Sequence, residues 1–260
     1  MPDYRKLENQ PLVLALVEVR FSPIFGIEKY IPDLQDKLRG AYPHVESSLS
    51  QSIEVNEQGV NLSNVNRWAF ASKDHSSAVD ISYNRIVFFT TRYPRFEGFA
   101  EQVKQLLDIL NDIAKPSLCS RIGLRYCDVI KTAQDETLGQ LVSPGFLLPD
   151  CLSQSGPIAQ HLTETVIETN GISHLVVRSL QAVTNNVTPP DIQQVPVKIT
   201  HDDEASNRLI LDFDHFWQNE DEQKDFCPNE IIQMLSQLHI DSRKAFWNVT
   251  TDYARNEKWT

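Results

Sequence analysis

The nine glycines of this 260-residue chain form neither G-x-G-x-x-G nor G-x-x-x-x-G-K, so the backbone cradles that hold phosphates in dinucleotide-binding and P-loop proteins have no counterpart in it. G-x-S-x-G and H-E-x-x-H are missing too, which removes the commonest motif-bearing hydrolases and zinc proteases. Positive charge is scarce. With 24 Lys and Arg against 35 Asp and Glu, the formal charge is -11, which argues against wrapping DNA or docking on anionic lipid, since both need a basic contact surface. The four cysteines, Cys119, Cys127, Cys151 and Cys227, have no C-x-x-C spacing, and the first residues hold no apolar signal core. That pattern predicts free thiols in a reducing, cytoplasmic setting. No apolar run approaches the roughly 20 residues needed to span a bilayer, so no membrane association is expected.

Neither a metal nor a cofactor is predicted. The richest set of ligand-type side chains is His201, Asp202, Asp203 and Glu204 with Asp212, Asp214 and His215. Strand alternation puts Asp212 and Asp214 on one face and His215 on the other, which breaks the cluster. Cys119 and Cys127 fall on one strand face but roughly 26 Å apart, at about 3.3 Å per residue.

What the chain does have is a pair of similar strands. Residues 118–130 read L-C-S-R-I-G-L-R-Y-C-D-V-I, with Ile122, Leu124 and Tyr126 on one face and Arg121, Gly123, Arg125 and Cys127 on the other. Residues 14–21 alternate likewise: Leu14, Leu16, Glu18 and Arg20 share one face, Val13, Val17, Val19 and Phe21 the other. After the first strand, helical spacing of Ile27, Tyr30, Ile31, Leu34 and Leu38 predicts a helix stopped by Gly40. Strands over 46–55, 67–72 and 78–91 follow, then a helix on Phe99, Val103, Leu106, Leu107 and Leu110. After the second, a short helix over 136–142, strands over 160–168 and 174–182 around Asn170-Gly171, a strand over 208–216 and a helix from Pro228 to Tyr253 are predicted.

Each half thus reads β-α-β-β-β-α. The expected fold is α+β: two duplicated repeats, 11–117 and 118–260, closely packed, their antiparallel strands forming one extended or saddle-like sheet with helices on one face. The layout resembles the TATA-binding-protein-like duplicated fold by element order only, and fold alone carries no function.

Three stretches carry a family resemblance: P-L-V followed by E-V-R-F near the start, the central R-I-G-L-R-Y, and L-H followed by A-F-W-x-x-T near the end. Together they resemble a sporadically distributed, functionally uncharacterised prokaryotic protein family of about this length. The resemblance implies a two-repeat α+β architecture and no particular reaction, and its scattered occurrence associates with mobile or defence-related genes.

The candidate binding residues are the charges inside strands: Glu18, Arg20, Arg121, Arg125, Asp212 and Asp214. Arginine offers a planar donor fork for carboxylate or phosphate, and Gly123 between two arginines leaves room for something to approach. If the strand 208–216 lies in the same sheet, Arg125 pairs with Asp212 or Asp214, and the face is then either an internal ion-paired surface or a recognition surface. No catalytic residue is assigned. Trp217, Phe246 and Trp247 are expected to close the core or to contribute to an interface. The leading functional expectation is a non-enzymatic interaction or regulatory protein, antitoxin-like or an accessory factor in defence, whose partner is a protein with a basic surface. The alternative is an enzyme or a protein binding a small anionic ligand on the charged sheet face.

Overall fold

The computed structural model describes residues 4–56, 59–156, 159–192, 194–200 and 204–260, with the side chains of 50–64 and 153–155 outside the description. His201, Asp202 and Asp203 lie outside the described residues. Ten strands make one antiparallel sheet: β1 (Leu12–Phe21), β2 (His44–Asn56), β3 (Gly59–Ala71), β4 (Ser77–Ser82), β5 (Arg85–Thr90), β6 (Leu118–Lys131), β7 (Gln160–Thr169), β8 (Ser173–Thr184), β9 (Ser206–Gln218) and the two-residue β10 (Lys224–Asp225). The spatial order is β2-β3-β4-β5-β1-β6-β9-β8-β7, with β10 beside the start of β6. The two strands singled out from the sequence are therefore neighbours at the centre of an α+β fold.

The α-helices are α1 (Ile31–Leu38), α2 (Phe96–Ile113), α3 (Leu138–Leu141) and α4 (Pro228–Val249). The apolar stripes of α1, α2 and α4 bury Leu34, Leu107, Leu110 and Leu235 in one cluster with Val17, Val19, Ile122, Leu124 and Phe213 of the central strands. Truncating one of these fully buried leucines to alanine costs about 2–5 kcal/mol, lost transfer energy plus a cavity. The opposite sheet face has a smaller apolar cluster, Leu14, Leu16, Val87, Phe89, Cys127 and Ile210, partly covered by Val187, Val197 and Ile199 from the segment after β8. No helix is long and apolar enough to cross a membrane among the described residues.

Three expectations need correction. The predicted strand 78–91 is two strands, β4 and β5, turning at Tyr83 and Asn84. The last helix stops at Val249 rather than reaching Tyr253: Thr250 is extended, and the Arg255 guanidinium takes over the exposed carbonyls, with Nη1 2.5 Å from Trp247 O. Register also slips twice between β1 and β6. Leu12 pairs with Asp128 but Leu14 with Cys127, and Arg20 pairs with Arg121 but Phe21 with Cys119. Each slip inserts an extra residue, Val13 in β1 and Ser120 in β6, and a bulge turns the flanking side chains to other faces. Val13 thus packs with the smaller cluster and Leu12 with the helix-side core, while Cys119 lies on the helix side, opposite Cys127.

Candidate functional site

All six charged residues singled out from the sequence lie on the face away from the helices, where they meet one another. Arg125 is 7% exposed and saturated: Nε and Nη2 donate to Asp212 at 2.7 and 2.8 Å, and Nη1 and Nη2 donate to Asp191 at 2.6 and 3.0 Å. Burial opposes the Arg125 charge, and hydrogen bonds to Asp212 and Asp191 overcome it, holding the group above the ordinary arginine range. Asp212 also accepts from Arg178 Nη1 at 3.2 Å. Glu18 accepts from Arg20 Nε at 2.8 Å and lies 3.5 Å from Arg85 Nη1 and 3.1 Å from Arg121 Nε. That last contact is an ion pair by distance but is not aligned as a hydrogen bond. Arg121 reaches Asp214 only at 3.9 Å and stacks on Phe216, 3.9 Å from its ring centre. Burial pushes the Asp214 carboxyl up, against the fields of Arg125 and Arg121. The space above Gly123 is taken: a β-carbon there would sit 3.6 Å from Arg121 Nε and Nη2. Glu18, Arg20, Arg125 and Asp212 are satisfied by partners on this face, whereas Arg121 Nε and the Asp214 carboxyl have no hydrogen bond among the described residues; the opening beside Gly123 is filled by Arg121.

The helix side of the same strand is different. Ile122, Leu124, Tyr126, Asp128 and Ile130 share that face, and Asp128 interrupts the apolar series beneath a cavity of about 460 Å³. The cavity is floored by Tyr126 and Asp128, with Phe213 of β9 beside them. Its walls are His239, Arg243, Phe246 and Trp247 of α4 and, from the other side, Tyr93, Arg95 and Phe96 at the start of α2. Its roof is the N-terminal segment 4–12. The Val13 bulge lets that segment leave β1 and cross over the floor, with Leu12 turned inward. Tyr4 packs edge-on against Trp247 at 5.2 Å, Leu7 is buried, and Asn9 N donates to Trp259 O at 3.2 Å, tying the roof to the C-terminal turn Ala254–Lys258.

The cavity's polar groups fall into two sets. Tyr126 Oη lies 3.0 Å from Tyr93 Oη and 2.9 Å from His239 Nδ1, and the His239 ring stacks on Phe96 at 4.1 Å, nearly parallel at 2°. Burial, helped by the Arg243 charge, lowers His239 to about 4, so its imidazole is neutral at pH 7. Burial raises both tyrosines above the usual phenol range. The second set is unpaired. Asp128 is 4% exposed, and no hydrogen bond or ion pair from the described residues reaches its carboxyl. Burial, then the Asp212 charge through the sheet, pushes it up to about 8, so the group is a neutral acid at pH 7. Arg243 Nε is likewise buried without a hydrogen-bond partner, its guanidinium lying 4.4 Å from the Tyr4 ring centre. Of the two, Arg243 Nε is sealed from solvent, and a buried polar atom left unmade costs free energy, while the Asp128 carboxyl opens onto the cavity.

Nucleophilic chemistry at Cys119 and Cys127 is disfavoured by the same physics. Burial pushes Cys119 up to about 12 and Cys127 well above its usual range, and a thiol that stays protonated is inert. His215, which alternation had placed opposite Asp212 and Asp214, is buried and fully engaged, its Nδ1 2.9 Å from Leu238 O and its Nε2 2.7 Å from Thr169 Oγ1. No grouping of metal-ligand side chains occurs among the described residues.

Sequence reasoning had singled out Phe246 and Trp247 but not Asp128, Tyr93, His239 or Arg243 as site residues. One signal was readable: an Asp in register with Ile122, Leu124 and Ile130 on a strand's apolar face is buried without an apolar reason. The three stretches behind the family resemblance also meet here, through Leu12, Tyr126, His239, Phe246 and Trp247. No family model matches the chain, and no curated protein is significantly similar to it.

Proposed function

We propose that this chain is a non-enzymatic regulatory protein that binds a small ligand in the cavity between β6, α4 and the N-terminal segment. The observation that carries the reading is Asp128: a carboxyl held without a partner at the floor of a cavity of about 460 Å³, a volume typical of small-molecule sites. The carboxyl opens onto the cavity and no described side chain bonds it, which leaves its donor and acceptor free for a ligand. The tyrosines and His239 orient and exclude water; none is set up to gain or lose a proton near neutral pH.

The expected protein partner belongs to the same proposal, and β7 is the surface that supports it. Among the described residues this edge strand pairs only with β8, and Leu162, Val166 and Ile167 stand exposed along it. An edge of this kind accepts a further strand, and the net charge of -11 suits a basic partner. A reducing, cytoplasmic setting is part of the reading, supported by four unpaired thiols. So is descent of the sheet from a duplication, supported by the order β1-β5-β4-β3 on one side of the centre and β6-β9-β8-β7 on the other, with β2 an additional strand beyond β3.

The test is ligand-observed NMR of a mixture of small aromatic fragments against the full chain. It is repeated with Phe246→Trp, which narrows the cavity, and Tyr4→Ala, which opens its roof. Saturable binding that both changes alter is expected. Fragments that do not bind, or that bind alike in all three proteins, overturn the reading.

A further inference from the structure

We propose that the cavity takes a nucleotide-class ligand: a planar nitrogen heterocycle whose donor and acceptor edge pairs with the Asp128 carboxyl, and an anionic tail that lies against Arg243 and Arg95. The inference rests on the cavity being the ligand site and adds the class of ligand. A protonated carboxyl presents a hydroxyl donor beside a carbonyl acceptor, the layout by which an amide side chain grips a base edge. Burial keeps Asp128 in that form at neutral pH, with its ordinary value of 3.8 raised to about 8. Phe213, Phe246 and Trp247, with the stacked Phe96 and His239 pair, give the faces against which a flat ring packs.

Charge at the mouth selects the tail. Arg5, Lys6, Arg95 and Arg243 stand there against Glu8 and Glu97, so the opening is net positive although the chain is acidic. Arg243 Nε has no hydrogen-bond partner among the described residues. Arg95 takes φ of 80°, a conformation side-chain-bearing residues rarely adopt, at the first turn of the 18-residue α2, whose free amides add to the positive field. A cationic amine, the other natural partner of a buried carboxyl, is disfavoured by that rim.

The charged and titratable groups around Asp128 are Arg5, Lys6 and Glu8 from the roof, Tyr93, Arg95 and Glu97 from the start of α2, His239 and Arg243 from α4, Tyr126 on its own strand and Asp212 on β9. His239 titrates well below neutrality and the tyrosines well above it, so a change near pH 8 reports Asp128.

Isothermal titration of the full chain with the four common nucleoside 5′-monophosphates tests the assignment, with the matching nucleosides, inorganic phosphate and benzylamine as probes of each part. At least one monophosphate is expected to bind, more tightly than its nucleoside, and to weaken toward tenfold per pH unit above about 8 as Asp128 ionises. Asp128→Asn retains a donor and an acceptor, so it keeps binding and loses the pH dependence; Asp128→Leu loses at least tenfold, with circular dichroism showing the fold intact. Arg243→Gln weakens the monophosphate and leaves the nucleoside unchanged. No binding by any nucleotide while fragments still occupy the cavity overturns the ligand class and leaves the site standing. Benzylamine binding that tightens with pH does the same. Silence from fragments and nucleotides alike overturns both.

Discussion

Arg125 stands opposite Asp214 in the β6/β9 register, yet its guanidinium grips Asp212, the diagonal neighbour that pairs with Cys127. The diagonal reach lets the same fork hold Asp191 from the covering segment as well, so Arg125 ties that segment to the sheet. Arg125→Ala strips Asp191 of both hydrogen bonds and leaves Asp212 to Arg178. Removing one partner of a buried pair costs roughly 3–5 kcal/mol. Urea unfolding is expected to show a loss of that size, and a loss below about 1 kcal/mol would place the network with solvated surface pairs.

The two perturbed groups in the cavity give opposite dependences on pH. Asp128 keeps its proton in the folded chain up to about 8 but releases it near 3.8 when unfolded, so its contribution falls as pH rises through that window. His239 is neutral in the folded chain down to about 4 but protonates near 6.5 when unfolded, so its contribution rises with pH between those values. The two oppose each other from about 4 to 6.5, and Asp128 acts unopposed by His239 from 6.5 to 8. The stability of Asp128→Asn relative to wild type is expected to rise by about 1.4 kcal/mol per pH unit over the Asp128 window. Chemical denaturation at several pH values measures it, and a pH-independent difference would remove the shifted carboxyl.

Arg5 and Asn9 tie the roof over the cavity to the C-terminal turn by hydrogen bonds, and the two side chains that pack it down do different work. Leu7 is buried against the core, whereas Tyr4 only spans Trp247 and Arg243. Leu7→Ala is expected to cost about 2 kcal/mol, the low end for a buried leucine because a terminal segment collapses easily. Tyr4→Ala is expected to cost under about 1 kcal/mol while raising acrylamide quenching of tryptophan fluorescence, since Trp247 loses its cover. Equal quenching before and after the change would mean the roof is already open in solution.

Thiol reactivity separates the cysteines by burial. In the native chain Cys151 is expected to react at once, the half-buried Cys227 slowly, and the buried Cys119 and Cys127 not at all. In denaturant without reductant all four should titrate. Fewer than four would reveal disulfides.

Strands were legible where alternation was strict. The Asn170-Gly171 turn announced itself because both residues adopt positive φ, 52° and 67°, a demand few other pairs meet. Tyr83 and Asn84 turn the chain without positive φ, so the bend is marked only by a single turn-favouring Asn, and β4 and β5 read as one strand. The bulges at Val13 and Ser120 were invisible because a bulge is a property of the pair, not of either strand. The ion-paired face could be anticipated since its charges sit at alternate positions within strands. The cavity could not, because it joins β6 to α4 and to a polar N-terminal segment that single-strand periodicity leaves unplaced.

The central position of β1 also bears on how the chain assembles. The hairpins β2–β3, β4–β5 and β7–β8 pair residues close in sequence, whereas β1 must find Thr90 for Ala15 on one side and Arg125 for Leu16 on the other. Long-range pairing of this kind slows folding relative to local contacts. During synthesis β1 emerges before either neighbour, and its β6-facing backbone groups have no partner until the second half of the chain appears. An unpaired strand edge is a site of association with other chains. The interior strand of the finished sheet is therefore the exposed edge of the nascent one, and yield should depend more on crowding of half-made chains than on the stability of the product.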